Sequence, residues 1–241
     1  MIAFLAEELQ LKISQIRGTV KLLDEGNTVP FIARYRKELT GGLDEIQIRD
    51  IEERMEYLRN LEKRKKEVIR LIDEQDKLTE ELEERINNSA VLQEVEDLYR
   101  PYKQKRQTRA TKAKEKGLEP LAELIWEQET YTGSLTDFAE DYINPDVELE
   151  NIEDIYQGAR DIIAEWISDN ADIRKSIRSY SFENGMIKCS VKDEELDEEG
   201  KYEIYYDYLE AVKKLPPHRI MAVNRGENEE VLQVKLIVDE D

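Results

Sequence analysis

The chain has 241 residues, with 56 Asp and Glu against 36 Lys and Arg, for a formal net charge of −20. Hydrophobic residues make up 39% and charged residues 38%, which is polar for a compact protein, yet Leu, Ile and Val recur throughout and exclude a disordered chain. No run approaches the roughly 20 apolar residues of a membrane span, the acidic N-terminus has no basic leader region, and the single cysteine, Cys189, excludes an internal disulfide and suits a reducing cytosol, so a cytoplasmic protein without membrane contact is expected.

Ten glycines and six prolines are few, which favours long helices over many turns. The spacing predicts a helix pair over 2–10 and 13–24, with Ile13, Ile16, Val20 and Leu23 on one face and Gly26 as the stop. A short helix follows from Pro30 to about Glu38, Pro30 fitting a first turn, and Gly41-Gly42 closes it. The best helix runs over about 44–75. Asp44 and Gln47 form a capping-box start, and Ile48, Ile51, Met55, Leu58, Leu61, Val68 and Ile72 recur at 3–4 spacing; at 1.5 Å per residue it would be roughly 45 Å long, a spine for other helices. Helices are expected at 79–88, 89–99, 108–116, 119–129, 134–143, 151–169 (started by Asn151) and 171–181. After Asn184-Gly185 the period changes: 186–191 is short and β-prone, and 231–238 alternates as a strand. With no partner downstream of that strand, the chain reads as a piece of a longer protein. The expected fold class is mainly α, an elongated multi-helix domain on a long central helix with a small β element near the C-terminus. Residues 1–183 would form the helical domain, including a cluster of helix-turn-helix size, and 184–241 a mixed segment.

Charge is divided unevenly. Residues 1–117 carry 24 basic and 24 acidic side chains, and 118–241 carry 12 and 32. Within the first part, Arg100 to Lys116 holds eight Lys and Arg and one acid, Glu115. A basic island in an acidic chain points to a polyanion or an acidic surface; the alternative is a solvated face whose cations pair with acids elsewhere. Arg100, Lys103, Lys105, Arg106, Arg109 and Lys112 are the candidate phosphate contacts, with Tyr99 and Tyr102 available to stack on bases. Arg34 and Arg36 come second: with Lys37 they surround Tyr35 on the short helix, where Phe31 and Ile32 favour packing on the spine over insertion in a DNA groove.

Catalysis has little to stand on. One histidine, His218, and one cysteine, Cys189, do not make a zinc site, which needs about four ligands, and nothing brings them together as a dyad. No phosphate-cradling glycine loop is present. The acidic run Asp193 to Gly200 lacks the ligand spacing of an EF-hand and reads as a solvated loop. No metal, cofactor or catalytic residue is assigned.

The segment Leu22-Leu-Asp-Glu-Gly-Asn-Thr-Val-Pro-Phe-Ile-Ala-Arg-Tyr-Arg-Lys-Glu38 resembles the N-terminal signature of the Tex family of bacterial transcription accessory proteins. So do Gly42-Leu-Asp44, Leu98-Tyr-Arg-Pro-Tyr-Lys103, Arg106-x-x-Arg-Ala110 and Gly117-Leu-Glu-Pro-Leu-Ala122. Lys214-Leu-Pro-Pro-His-Arg219 and Arg225-Gly-Glu227 resemble the stretch before that family's nuclease-like domain. The resemblance implies an elongated helical scaffold, followed in the family by ribonuclease H-like, helix-hairpin-helix and OB-fold RNA-binding domains that these residues do not include. It implies a non-enzymatic platform that binds RNA, DNA or the transcription machinery, RNA polymerase included; a monomer is expected. The alternative is a pure protein-interaction scaffold that docks basic partners on its acidic half.

Overall fold

The computed structural model describes residues 1–104, 106–128 and 134–239. The fold is mainly α, with one long helix and a small sheet near the C-terminus. The chain divides into two compact units, Met1–Lys103 and Gln104–Asp241. The sequence-based boundary at 183/184 lies inside the second unit, at the C-terminal end of its helix Ala171–Asn184 and just before its first strand.

In the first unit, α1 (Ile2–Glu8) and α2 (Ile13–Asp24) pair and lie on α5 (Glu45–Asp73). Between them come α3 (Val29–Tyr35) and α4 (Lys37–Thr40). The helix expected from Pro30 to about Glu38 is in fact two: the backbone breaks at Arg36, with φ −132° and ψ 28°, and α4 turns in against α2. That approach needs Gly18, where an added Cβ would stand 2.2 Å from the Leu39 carbonyl oxygen. Gly41 ends α4 at φ +64°, a left-handed position that glycine adopts without strain.

Helix α5 starts as its sequence predicts. The Asp44 carboxylate accepts from the Gln47 amide at 2.8 Å, and the Gln47 side chain accepts from the Asp44 amide at 3.1 Å. Its 29 residues span roughly 44 Å. Ile48, Ile51, Met55, Leu58, Leu61, Val68 and Ile72 are all buried along one stripe. Lys65 interrupts the stripe and is buried too; its ammonium donates to Glu62 at 3.0 Å and to the Asn87 carbonyl at 2.8 Å, so the charge is not left bare. α6 (Glu80–Asn88) and α7 (Leu92–Tyr99) pack on the second half of the spine. Two ion pairs fasten the N-terminal helices to it: Arg59 with Asp24, two-pronged at 2.8 Å, and Arg54 with Glu8 at 2.8 Å.

In the second unit, α8 (Arg109–Glu115), α9 (Glu119–Glu127) and α10 (Leu135–Glu140) surround α11 (Ile152–Asp169). Position 129, expected to end α9, lies outside the described residues. The core here is small and aliphatic: Ala110, Ala113, Leu118, Leu121, Ala159 and Ile162 among others. Helices approach closely because Gly158 has no side chain where the Leu118 methyl sits; a Cβ would meet it at 2.3 Å. α12 (Ala171–Asn184) follows, capped by Asn170.

A second core lies under a three-stranded antiparallel sheet of order β2-β1-β3. β1 (Met186–Val191) is central, flanked by β2 (Asp207–Ala211) and β3 (Leu232–Ile237), with Met186 opposite Ala211 on one side and Ile237 on the other. The strand expected at 231–238 therefore has its partner upstream, in β1, and the argument from a missing downstream partner fails. β2 and α13 (Pro217–Asn228) were not foreseen. Cys189, Tyr202, Tyr205, Val223, Val231 and Leu232 form this core. Beside it, Asp197 turns inward from the acidic run and accepts from the amides of Lys201 and Tyr202, both at 2.8 Å, and from the Tyr206 hydroxyl at 3.1 Å.

Candidate nucleic-acid interface

The basic island is sorted by its partners. In the first unit, Arg100 and Lys103 follow α7 in a single 3-10 turn over Arg100–Tyr102 that Pro101 helps to start. The Lys103 ammonium bonds Glu96, whose other oxygen accepts from Arg64 at 2.6 Å. Lys103 and Arg64 each stand 5.4 Å from the centre of the Tyr99 ring, within cation–π reach. Arg64, with Lys103 and against the opposing effect of burial, holds the Glu96 carboxyl below the usual carboxylate range, and Glu96 in turn raises the Arg64 guanidinium. Lys103 and Tyr99 are thus joined in a cluster that locks α7 to the spine. Arg100 is exposed and has interactions of its own.

In the second unit the island continues into α8, capped by the Thr108 hydroxyl, which accepts from the Thr111 amide at 3.0 Å. Lys105 lies outside the described residues. Two lysines, one in α8 and one just after it, are partly buried: Lys114 pairs with Glu119 at 2.8 Å and stands 5.7 Å from the Trp166 ring, and Lys116 pairs with Glu148 at 3.2 Å. Arg106, Arg109 and Lys112 are exposed, and among the described residues none has an ion-pair partner.

Arg109 and Lys112, one helical turn apart, line one side of a cleft of about 600 Å³. Ala113, Leu118 and Gly158 line it too, with the carboxylates of Asp146, Glu148, Asp154 and Asp161. The carboxylate wall was not visible in the sequence, because it comes from the loop before α11 and from α11 itself, 30 residues and more away. A phosphate inside this cleft would meet those carboxylates, so a polyanion is favoured only on the outer face of α8.

Arg34 and Arg36 lie on α3 and at the break after it. Val29 and Ile32 are buried against the spine, which is the packing role expected of the helix. Arg34 and Tyr35 are exposed. The Arg36 guanidinium sits 5.0 Å from the Phe31 ring centre, and the Phe31 and Tyr35 rings are 5.3 Å apart.

Cys189 and His218 differ in their exposure. Cys189 is buried on the central strand, its thiol pushed up by burial and by nearby Glu227, while His218 is exposed at the start of α13. Among the described residues no three His, Cys, Asp or Glu side chains cluster as metal ligands. Among them also, no helix is long and apolar enough to cross a membrane.

Two family models match this chain: the Tex-like protein N-terminal domain over residues 1–73 and the Tex central region-like model over residues 132–241. A Bacillus subtilis protein called YdcI is 51% identical over 96% of the chain, and the Neisseria gonorrhoeae transcriptional accessory protein Tex is 41% identical over 96%. The human S1 RNA-binding domain-containing protein 1 is 30% identical over the full chain. The chain spans 32%, 30% and 24% of the lengths of these three relatives. With both family models falling in order on the spine unit and on the helix-and-sheet unit, the chain belongs to the Tex family, corresponding to its N-terminal and central regions.

Proposed function

We propose that this chain is a non-catalytic helical platform of a nucleic-acid-binding transcription accessory factor, acting in the cytoplasm through contacts to RNA, DNA or the transcription machinery. The observation that carries the reading is the set Arg106, Arg109 and Lys112: exposed cations that have no ion-pair partner among the described residues, while Lys114 and Lys116 beside them are consumed by Glu119 and Glu148. Exposed cations close together in the chain, Arg106 just before α8 and Arg109 and Lys112 on it, can neutralise successive phosphates. The names of the relatives, a transcriptional accessory protein and an S1 RNA-binding domain protein, support the same reading. The buried, poorly ionising Cys189 thiol supports the absence of nucleophilic catalysis.

The test is binding of labelled single-stranded RNA and duplex DNA across a salt series, beside the triple variant R106E/R109E/K112E. Salt-sensitive binding should weaken in the variant, and the slope of log affinity against log salt should fall by about 2 on single strands if all three touch phosphate. Binding with an unchanged slope would overturn the assignment of these residues, and no binding at low salt would overturn the nucleic-acid reading. The alternative then favoured is a scaffold for basic proteins, which the 32 acids against 12 bases of residues 118–241 would suit.

A further inference from the structure

Helix α3 sets a different feature at the surface of the first unit. Tyr35 is 62% exposed, the highest exposure among the large aromatic side chains of the described residues, and its hydroxyl has no hydrogen-bond partner among them. It is held on a firm base. Val29 and Ile32 of the same helix are buried, and Phe31 lies one turn back, its ring tilted 45° to that of Tyr35. The Arg36 guanidinium covers Phe31, so of this pair Tyr35 is the ring left open. Its chain neighbours Arg34, Arg36 and Lys37 are cations, and among the described residues none is in an ion pair. This contrasts with the spine, where Arg49, Arg54, Arg59, Arg64 and Arg70 all pair with carboxylates.

We propose that Tyr35 is a stacking platform for an unpaired base of single-stranded nucleic acid, with Arg34 and Lys37 taking the flanking phosphates. The proposal rests on the nucleic-acid reading above and deepens it. An exposed, rigidly based ring among unpaired cations has the two components of single-strand recognition: a π-face that any base can use and charge that follows the backbone. Duplex DNA has no free base face to offer, so the ring gives it nothing, and the open aromatic face, which charge alone does not need, favours an unpaired base over an acidic protein surface.

The experiment uses the whole chain and a short labelled oligouridylate, an abasic backbone of the same length and a duplex DNA. Y35A should weaken oligouridylate binding by about 5- to 150-fold, the range for loss of one stacked base, with an unchanged salt slope, since no phosphate contact is lost. Y35F should bind as the wild type, and the abasic strand and duplex should not distinguish Y35A from it. Because Tyr35 is exposed, Y35A should keep its helical circular dichroism. Salt-sensitive oligouridylate binding that Y35A leaves intact would overturn the stacking role and leave the nucleic-acid reading standing. Absence of any binding to the three probes at low salt would overturn both. Equal loss on the duplex and on oligouridylate would overturn stacking in favour of a general change at α3.

Discussion

Asp197 is the residue whose replacement tests the second unit most directly. It is 9% exposed and accepts three hydrogen bonds, two of them from backbone amides at 2.8 Å. Asn keeps the shape but has one acceptor oxygen. If that oxygen serves the Lys201 amide, the new amide group faces the Tyr202 N–H, donor against donor, and a buried N–H loses its acceptor. An unsatisfied buried donor costs about 1–3 kcal/mol, and hydrogen bonds to a charged group contribute about 1.5–3 kcal/mol each; D197N should therefore lose about 2–3 kcal/mol and D197A somewhat more. Urea denaturation followed by circular dichroism reads this as a lower midpoint with an unchanged m-value. Amide exchange of Lys201 and Tyr202 should quicken before that of the spine amides. A D197N midpoint within about 0.5 kcal/mol of the wild type, the range of an ordinary surface change, would refute the argument. The same geometry gives a second reading of the acidic run: since both Asp197 oxygens already accept N–H donors, added calcium should leave the midpoint where it is.

Gly18→Ala should destabilise the first unit: the helix gains about 1 kcal/mol in propensity, but a Cβ 2.2 Å from the Leu39 carbonyl oxygen forces α4 off α2, an overpacking cost of about 1–3 kcal/mol. A thermal melt of G18A at or above the wild-type midpoint would refute it. Glu96→Gln tests the Arg64–Glu96–Lys103 cluster through pH. The folded-state pKa of Glu96 is depressed from 4.5, so the stability it contributes is fully present above 4.5 and is lost as pH falls through the folded value. E96Q should therefore melt below the wild type at pH 7, and the gap should close in acid; a gap that stays constant down the acid limb would exclude Glu96 as its source.

The features legible in the sequence were those made by neighbours in the chain. The Asp44–Gln47 box, the Asn151 cap and the apolar stripe of α5 each depend on residues within a few positions, and the structure forms all three. β2 was illegible because Asp207-Tyr-Leu-Glu-Ala211 gains its strand character from pairing with β1 and has little of its own. α13 buries only Val223 and Gly226, too few to mark a helical stripe. The break at Arg36 follows from the contact of α4 with α2, which Gly18 permits; seen locally, 30–38 is one continuous helical segment. In the candidate site the cations were legible and their partners were not. Lys116 finds Glu148 and Arg64 finds Glu96, each across 32 positions.

That last difference decides how a charge run should be weighed. Density alone treats Lys103, Lys114 and Lys116 as equal to Arg106, Arg109 and Lys112, yet the first three are held by carboxylates or rings and help to fix α7, α8 and α11. A phosphate could take them only by displacing a partner the fold already uses, whereas contact with the second three requires no such exchange. By the same reasoning Arg34 and Lys37 rank above their place in the sequence: they are fewer, but no carboxylate among the described residues pairs with them, and they flank an exposed ring on a well-anchored helix. Under the proposed function, a polyanion surface would be defined less by where cations are dense than by where the fold has left them unspent.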